Sequence, residues 1–513
     1  MSTHSTIAAG PIDLDLLDGD VLDRLRPALR AADYTVGAVT DLLGGAAHAA
    51  LLRDATVPGL RATGAEQVAG TVLATLTRLW PLQAAVASSA ADRALPGLVD
   101  PLVAAGVLVR SAVEVRAAVD LRPYGDDRHD WWVVSDLTPG LDGTDRRVAP
   151  DHVLGVSPAS TTLAQLTVRR PVAAALDLGT GCGVQSLHLG THAERVVGTD
   201  VNPRALAMAR LTTRLAERPV DLRSGSLWEP AGDRLYDLVV TNPPFVVSPA
   251  TDQQLIYRDS GLPGDEVVRR IVTGAPAHLA PNGWCQVLAN WVHARDEPWA
   301  ERVGGWLAGT GCDAWVLQRE VLDPAEYVEM WLADAGLSGQ PEWGSRYDSW
   351  LSWMDDEGVE AVGMGWLCLR RTDRTEPTLR IEDWPYAIEQ PVGAEVASWA
   401  DRAAALADLG DDALLAARLV RAGDVVQETY GEPGASDPAR IVLRRTRGVQ
   451  RARPVDTVEA AMLGACDGDL TLGQVLAALA QLLGADGAAL GNEQVTVVRE
   501  LLAEGWLTVP WEG

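Results

Sequence analysis

The spacing of apolar residues changes character along the chain. Between residues 11 and 110 apolar positions fall three and four apart, predicting short helices over 14–32, 34–43, 46–52, 64–79 and 95–105. Gly106 opens an extended region, in which 113–121 and 130–135 predict two strands around the segment 122–127. Neighbours on a strand point to opposite faces, so one of Trp131 and Trp132 is expected in the core and the other at the surface. From Val172 the pattern turns to brief continuous apolar runs at 172–178, 195–199, 220–223, 238–241 and 283–291. Runs of that length, interleaved with helical stretches from Val184, at 203–216 and at 267–279, predict a parallel sheet covered on both faces. The runs 314–319 and 361–370 predict a closing antiparallel pair, separated by a helical insert over 324–354. Beyond Thr372 the signal weakens to a strand at 441–443, then helices at 457–466, 472–483 and 492–504 and a strand at 506–509.

These patterns divide the 513 residues into three segments. Residues 1–150 form a helical, winged-helix-like domain. Residues 151–373 form the α/β sheet domain, entered through the Gly-, Asp- and Pro-rich linker 137–153. Residues 374–513 form a C-terminal domain ending in a small winged-helix-like unit. A winged-helix-like domain docks nucleic acid or substrate, or else covers the sheet and contacts protein. The net charge of −27 favours the cover, because phosphate binding draws its affinity from cations.

Hydrophobic residues make up 47% of the chain, ample for buried cores, and no stretch is long and apolar enough to span a membrane. The start, Met1-Ser-Thr-His-Ser5, lacks the layout of a signal peptide, so a cytoplasmic protein is expected. Five scattered cysteines fit a reduced compartment and give no zinc site, so no metal is expected. All 43 basic residues are arginine. Arg440, Arg444, Arg445, Arg447, Arg451 and Arg453 cluster around the strand at 441–443, and either contact phosphate or pair with carboxylates elsewhere.

Two motifs carry chemistry. After the first apolar run comes Asp177-Leu-Gly-Thr-Gly-Cys-Gly183, where glycines permit a tight turn and close approach of backbone to a ligand. The next strand ends at Asp200, about twenty residues on, where a carboxylate can accept both hydroxyls of a ribose. The second motif, Asn242-Pro-Pro-Phe245, sits at the carboxyl end of a further strand, the edge at which open α/β sheets bind ligands. Two prolines stiffen the turn and hold the Asn side chain in one orientation. Its oxygen and a neighbouring carbonyl can accept both hydrogens of a planar –NH2. Gripping both N–H bonds turns a delocalised nitrogen lone pair towards an electrophile. Phe245, the single phenylalanine, can stack on the planar group. A plain proline turn capping a strand leaves Asn242 and Phe245 without a purpose.

Together the glycine motif, Gly198-Thr-Asp-Val-Asn-Pro203 and Asn242-Pro-Pro-Phe245 resemble a class I S-adenosylmethionine-dependent methyltransferase of the N-methylating type. That group includes release-factor glutamine, N6-adenine and guanine-N2 rRNA methyltransferases. The resemblance covers roughly residues 151–373. Asn242-Pro-Pro-Phe-Val-Val-Ser-Pro249 and Gly261-Leu-Pro-Gly264 look closest to the release-factor enzymes. It implies a seven-stranded Rossmann-like sheet and S-adenosyl-L-methionine held by Thr161, Asp177, Gly179, Thr180, Gly181, Gly183, Asp200, Val201 and Ser226. It also puts Asn242, Pro243, Pro244 and Phe245 on the target nitrogen. Related enzymes often contact the adenine amine with an acidic residue where this chain has Gly225-Ser226-Leu227-Trp228, and Ser226 can still hydrogen-bond there. They also place a Thr over the cofactor, matched by Thr161, although Ser160 or Thr161 can equally serve as a helix cap. The polar loop Tyr257–Glu266 lies near the active site in such enzymes, or simply starts a helix.

The expected substrate is a protein glutamine amide of a translation-related protein. N6-adenine or N2-guanine methylation of RNA, with local contact through Arg440, Arg444, Arg445 and Arg447, is the alternative. A binding protein that has lost turnover on this fold is the other. A nicotinamide oxidoreductase is disfavoured by the G-x-G-x-G spacing and by the closing strand pair.

Overall fold

Eight strands form one sheet whose carboxyl ends carry both motifs: β1 (Val172–Leu178), β2 (Ala193–Asp200), β3 (Val220–Ser224), β4 (Tyr236–Thr241), β5 (Leu279–Ala294), β6 (Cys312–Leu322), β7 (Val359–Arg371) and β8 (Leu379–Asp383). Their order is β8-β6-β7-β5-β4-β1-β2-β3. The run from β3 to β5 pairs in parallel, and β7 runs antiparallel to both β5 and β6. The computed structural model describes residues 13, 15–17, 19–144, 149–249, 261–434 and 438–509. Within it, one compact unit takes the chain through Ala164 with Arg170–Glu382, and a second takes Gln165–Arg169 with the chain from Asp383.

The sheet has eight strands where the sequence pattern predicts seven. The added β8 is a short, half-charged edge strand with no apolar run to announce it. It is tied to β6 by Trp315 Nε1 donating to Glu382 at 3.0 Å and by Thr378 N donating to Asp313 at 2.7 Å. The helix expected over 267–279 ends instead at Gly274, because Pro276 cannot continue it. On that face the helices Glu266–Gly274 and Trp299–Leu307 bury Val268, Ile271, Val272, Val303 and Leu307 against β1, β4, β5 and β7.

The other face carries the helix Pro203–Leu215, and the N-terminal region packs directly on it. Met208, Leu211 and Leu215 share one core with Leu22, Leu25, Leu29 and Trp132. Arg26 donates to the carbonyls of Leu215 and Arg214 at 3.1 Å each, and Val134 N donates to Thr212 Oγ1 at 2.9 Å.

The hairpin that does this runs Asp120–Asp126 against His129–Ser135, so the segment 122–126, expected as a loop, is itself a strand. Pro123 is tolerated because a two-stranded ribbon needs no donor on its outer edge. Both Trp131 and Trp132 are buried, against the expected division between core and surface. The ribbon is covered on both sides: Trp132 Nε1 donates to Tyr34 O at 2.8 Å, while Trp131 stacks on His129 and meets His188 edge-on. A separate small sheet orders Val86–Ala87, Glu114–Ala117 and Leu108–Arg110 beside the helices Ser88–Ala94 and Val99–Ala104.

In the second unit, strands Val425–Tyr430, Arg440–Arg445 and Ala452–Val455 form an antiparallel sheet. Helices Thr457–Ala465, Leu472–Leu483 and Gly487–Glu504 follow, and Leu507–Thr508 pairs with Val420–Arg421. Most of the arginine cluster is internally committed. Arg444 pairs with Glu428 at 2.8 Å, Arg445 with Asp424 at 2.8 Å and Arg453 with Glu500 at 2.8 Å, while Arg451 lies 4.4 Å over the Trp384 ring. Arg447, with a 78% exposed side chain, only approaches Glu389 at 4.0 Å, and Arg440 is exposed.

Candidate functional site

Leu178, Thr199 and Thr241 stand in register at the carboxyl ends of β1, β2 and β4, so the loops that follow open onto one place. Thr241 Oγ1 clasps two of these ends by donating to Leu178 O at 2.7 Å.

The glycine loop is organised by a buried carboxylate. Asp177 Oδ2 accepts from Thr180 Oγ1 at 2.7 Å and from Ser186 Oγ at 2.8 Å. Burial pushes the Asp177 carboxyl up to about 6, although both hydroxyls favour its charged form. Gly179, Gly181 and Gly183 have φ of 76°, 54° and 89°, which side chains rarely adopt. Around Gly179 and Gly181 an added Cβ meets nothing within 4 Å, leaving backbone open to a ligand. At Gly183 the same atom would come 3.2 Å from Ala209 Cα, so this glycine serves close packing. Asp200 Oδ2 accepts from Gly181 N and Oδ1 from Asn202 N, both at 2.9 Å. Each oxygen keeps a lone-pair site for a further donor. Burial raises the Asp200 pKa, and the backbone N–H bonds oppose it.

A cavity of about 1010 Å³ runs from this loop to the Asn-Pro-Pro-Phe turn. Of the residues expected at the site, Gly179, Thr180, Gly181, Asp200, Val201, Ser226, Asn242, Pro243, Pro244 and Phe245 line it. Asp177, Gly183 and Thr161 are not on its wall. Asp177 and Gly183 shape the loop from behind. Thr161 Oγ1 donates to Ser157 O at 3.2 Å within its helix. The cap of that helix is Ser157, not Ser160 or Thr161: Ser157 Oγ accepts from Ser160 N at 3.2 Å, and Ser157 N donates back to Ser160 Oγ at 2.8 Å. Ser160 itself lines the cavity, and its carbonyl accepts from Gln185 Nε2 at 2.7 Å. Gly261 to Glu266 of the polar loop are described, with Leu262 on the cavity wall, whereas Tyr257 to Ser260 lie outside the described residues.

At the far end Asn242 Oδ1 is buried without a hydrogen-bond partner among the described residues. A buried acceptor left unmade costs about 1–3 kcal/mol, and this one belongs to a residue on the cavity wall. Phe245 faces Trp331 edge-on, with ring centroids 6.4 Å apart at 68°. Trp331 also lines the cavity and comes from the helical insert, to which the sequence assigned no role. The density of Trp and Tyr in that insert is the signal that could have flagged it. Cys182, on the same wall, is no nucleophile, since burial pushes its thiol up to about 12.

Comparison with known proteins bears on the same stretch. Residues 155–298 match the family described as the methyltransferase small domain. A release factor glutamine methyltransferase of Geobacter sulfurreducens is 33% identical over 192 residues, which are 34% of this chain and 64% of that protein. A ribosomal protein uL3 glutamine methyltransferase of Bradyrhizobium diazoefficiens is 37% identical over 21% of this chain and 38% of its own length. A ribosomal RNA small subunit methyltransferase C of Alcanivorax borkumensis is 34% identical over 22% of this chain and 31% of its own. The match spans less than two thirds of each of these relatives. Residues 31–118 and 397–509 match two domains of unknown function. Residues 155–298 thus carry the methyltransferase small domain.

Proposed function

We propose that this protein is an S-adenosyl-L-methionine-dependent N-methyltransferase acting on a planar –NH2 group, the amide of a protein glutamine in a translation-related protein. The observation that carries the reading is the buried, unpartnered Asn242 Oδ1 on the wall that also holds the glycine loop and Asp200. The residues fit the cofactor. Gly179 and Gly181 leave open backbone for it, Asp200 has acceptor capacity for two ribose hydroxyls, and Ser226 lines the same cavity with a hydroxyl that can bond the adenine. When bound, that cofactor supplies an electrophilic methyl group on sulfur. Asn242 Oδ1 accepts one N–H of the target while the prolines fix its direction, and Phe245 stacks on the planar group. No side-chain base is required, because the nitrogen proton becomes acidic once the new bond forms and passes to water.

The insert favours a protein acceptor over nucleic acid. Between Asp323 and Glu357 it holds nine carboxylates and one arginine, Arg346, and its Asp334 lines the cavity. So acidic a segment repels phosphate. N6-adenine or N2-guanine methylation of RNA is the second reading, supported by the name of the rRNA methyltransferase relative. RNA contact would then fall to the exposed Arg440 and Arg447. A binding protein without turnover is the third.

We retain 1–150, 151–373 and 374–513 as functional segments, with the start of the last supplying the edge strand β8 of the sheet. The strand order of the small sheet, with the helices Ser88–Ala94 and Val99–Ala104 between its first and second strands, supports a winged-helix-like N-terminal fold used as a cover. The three tail helices and the pairing of Leu507–Thr508 with Val420–Arg421 support a similar C-terminal unit. We infer a cytoplasmic setting from the ribosome-related relatives; among the described residues no helix is long and apolar enough to cross a membrane.

Incubation with methyl-labelled S-adenosylmethionine and separated release-factor, ribosomal-protein and ribosomal-RNA fractions tests the reading. Label in a protein fraction is expected. Label confined to RNA would move the proposal to the second reading, and binding without transfer would move it to the third.

A further inference from the structure

We propose that the helical insert between β6 and β7 is a positioning device for the Asn242–Phe245 turn, acting through Tyr327 and assisted by Trp350. The inference rests on the N-methyltransferase reading of that turn. Asn242 has to present its acceptor within a few tenths of an ångström of the target nitrogen, and the prolines stiffen only the turn itself. The chain that leaves the turn, Val246-Val247-Ser248, is buried and held at Val247 by side chains of the insert.

Val247 N donates to Tyr327 Oη at 2.9 Å, and Val247 O accepts from Trp350 Nε1 at 3.1 Å. Tyr327 comes from helix Pro324–Asp334 and Trp350 from helix Trp343–Asp356, so both helices of the insert grip a single residue. The same Tyr327 Oη accepts from Asn290 Nδ2 at 2.9 Å, and Asn290 is a buried residue of β5. One hydroxyl thereby ties the turn's exit to the middle of the sheet. Four residues on, and so on the same face of the helix, Trp331 meets Phe245 edge-on and lines the cavity. One helix face thus both fixes where the turn leaves and walls the place where a planar group would lie.

Tyr327 packs against Trp331 behind the cavity wall and does not itself line the cavity, so its role is positioning. Plain core packing would let Tyr327→Phe keep its rate, because the ring is preserved and a single hydroxyl is lost.

The test uses the full chain, with hydrogen exchange, calorimetry and single-turnover transfer to a peptide bearing a glutamine amide. In Tyr327→Phe the Val247 amide is expected to exchange about ten-fold faster or more, as expected for a buried donor that loses its partner. Affinity for S-adenosylmethionine should stay within about two-fold, while kcat falls about ten-fold or more and KM for the peptide hardly moves. Trp350→Phe should shift exchange and kcat in the same direction by less, and it carries the test if Tyr327→Phe does not fold. Unchanged exchange at Val247, or faster exchange with an unchanged kcat, would overturn the proposal. If the parent itself transfers no methyl group, the reading of the reaction falls, and exchange at Val247 alone then decides whether the insert holds the turn.

Discussion

The two ends of the cavity are held by opposite means. At the glycine loop the ties are short in sequence: Thr180 and Ser186 reach Asp177 over three and nine positions, and Gly181 reaches Asp200 over nineteen. At the Asn-Pro-Pro-Phe turn they are long, with Tyr327 reaching back 80 positions and Trp350 103 to grip Val247. The near end is built from two neighbouring strands and the loop and helices next to them in the chain. The far end needs the assembled sheet and its insert. Damage to the far end should therefore cost rate, and damage to the near end affinity and stability.

The largest expected effect is at the far end. Asn242→Ala should lower methyl transfer by about a hundred-fold or more, the size of losing one preorganised polar contact, with cofactor affinity within a few-fold. Single-turnover kinetics beside calorimetry separate the two. Equal losses of rate and affinity would erase the division between the ends.

Next comes Asp177, whose carboxyl titrates at about 6 in the folded protein against an ordinary value of 3.8. Below the unfolded value both states are neutral. Between the two values only the unfolded chain ionises, so this group's contribution to stability is lost as pH rises from about 4 to about 6, by about 3 kcal/mol. Asp177→Asn cannot titrate and keeps an acceptor for Thr180 and Ser186. The parent's stability relative to the variant should decline across that window and level off above it, as read by denaturant melts. A difference that stays flat with pH would mean the carboxyl ionises at its ordinary value.

Asp200→Ala should weaken S-adenosylmethionine binding by about 1–3 kcal/mol with the fold intact. Calorimetry that finds the parent affinity would remove Asp200 from the cofactor end. The smallest effect is expected outside the cavity. Arg447→Ala, at a largely exposed side chain, should change stability by no more than about 0.5 kcal/mol and leave the salt dependence of any RNA binding as it was. A slope flattened by about one unit would instead make Arg447 a phosphate contact.

What was legible in the sequence follows the same division. The glycine loop, Asp200 and Asn242 could be read because each sits in a short motif with a fixed offset from a strand end. Tyr327, Asn290 and Trp350 could not, since nothing local to them points to Val247. The buried pair Trp131 and Trp132 defeated the alternation rule because the ribbon is covered on both faces, which only tertiary structure decides. The strand β8 escaped because three of its five residues are charged, which leaves no apolar run. Arginine clustering was plain in the sequence, but the partners Glu428 and Asp424 lie sixteen and twenty-one positions from Arg444 and Arg445, across neighbouring strands and a turn.

The most direct test of the central claim is the identity of the atom that receives the methyl group. Parent protein, S-adenosylmethionine labelled in its methyl group and the acceptor fraction that takes up label would be digested, and the modified residue identified by fragmentation mass spectrometry. The expected result is one new methyl group on an amide nitrogen of glutamine. A methyl group on oxygen, sulfur or carbon would contradict a site built around Asn242.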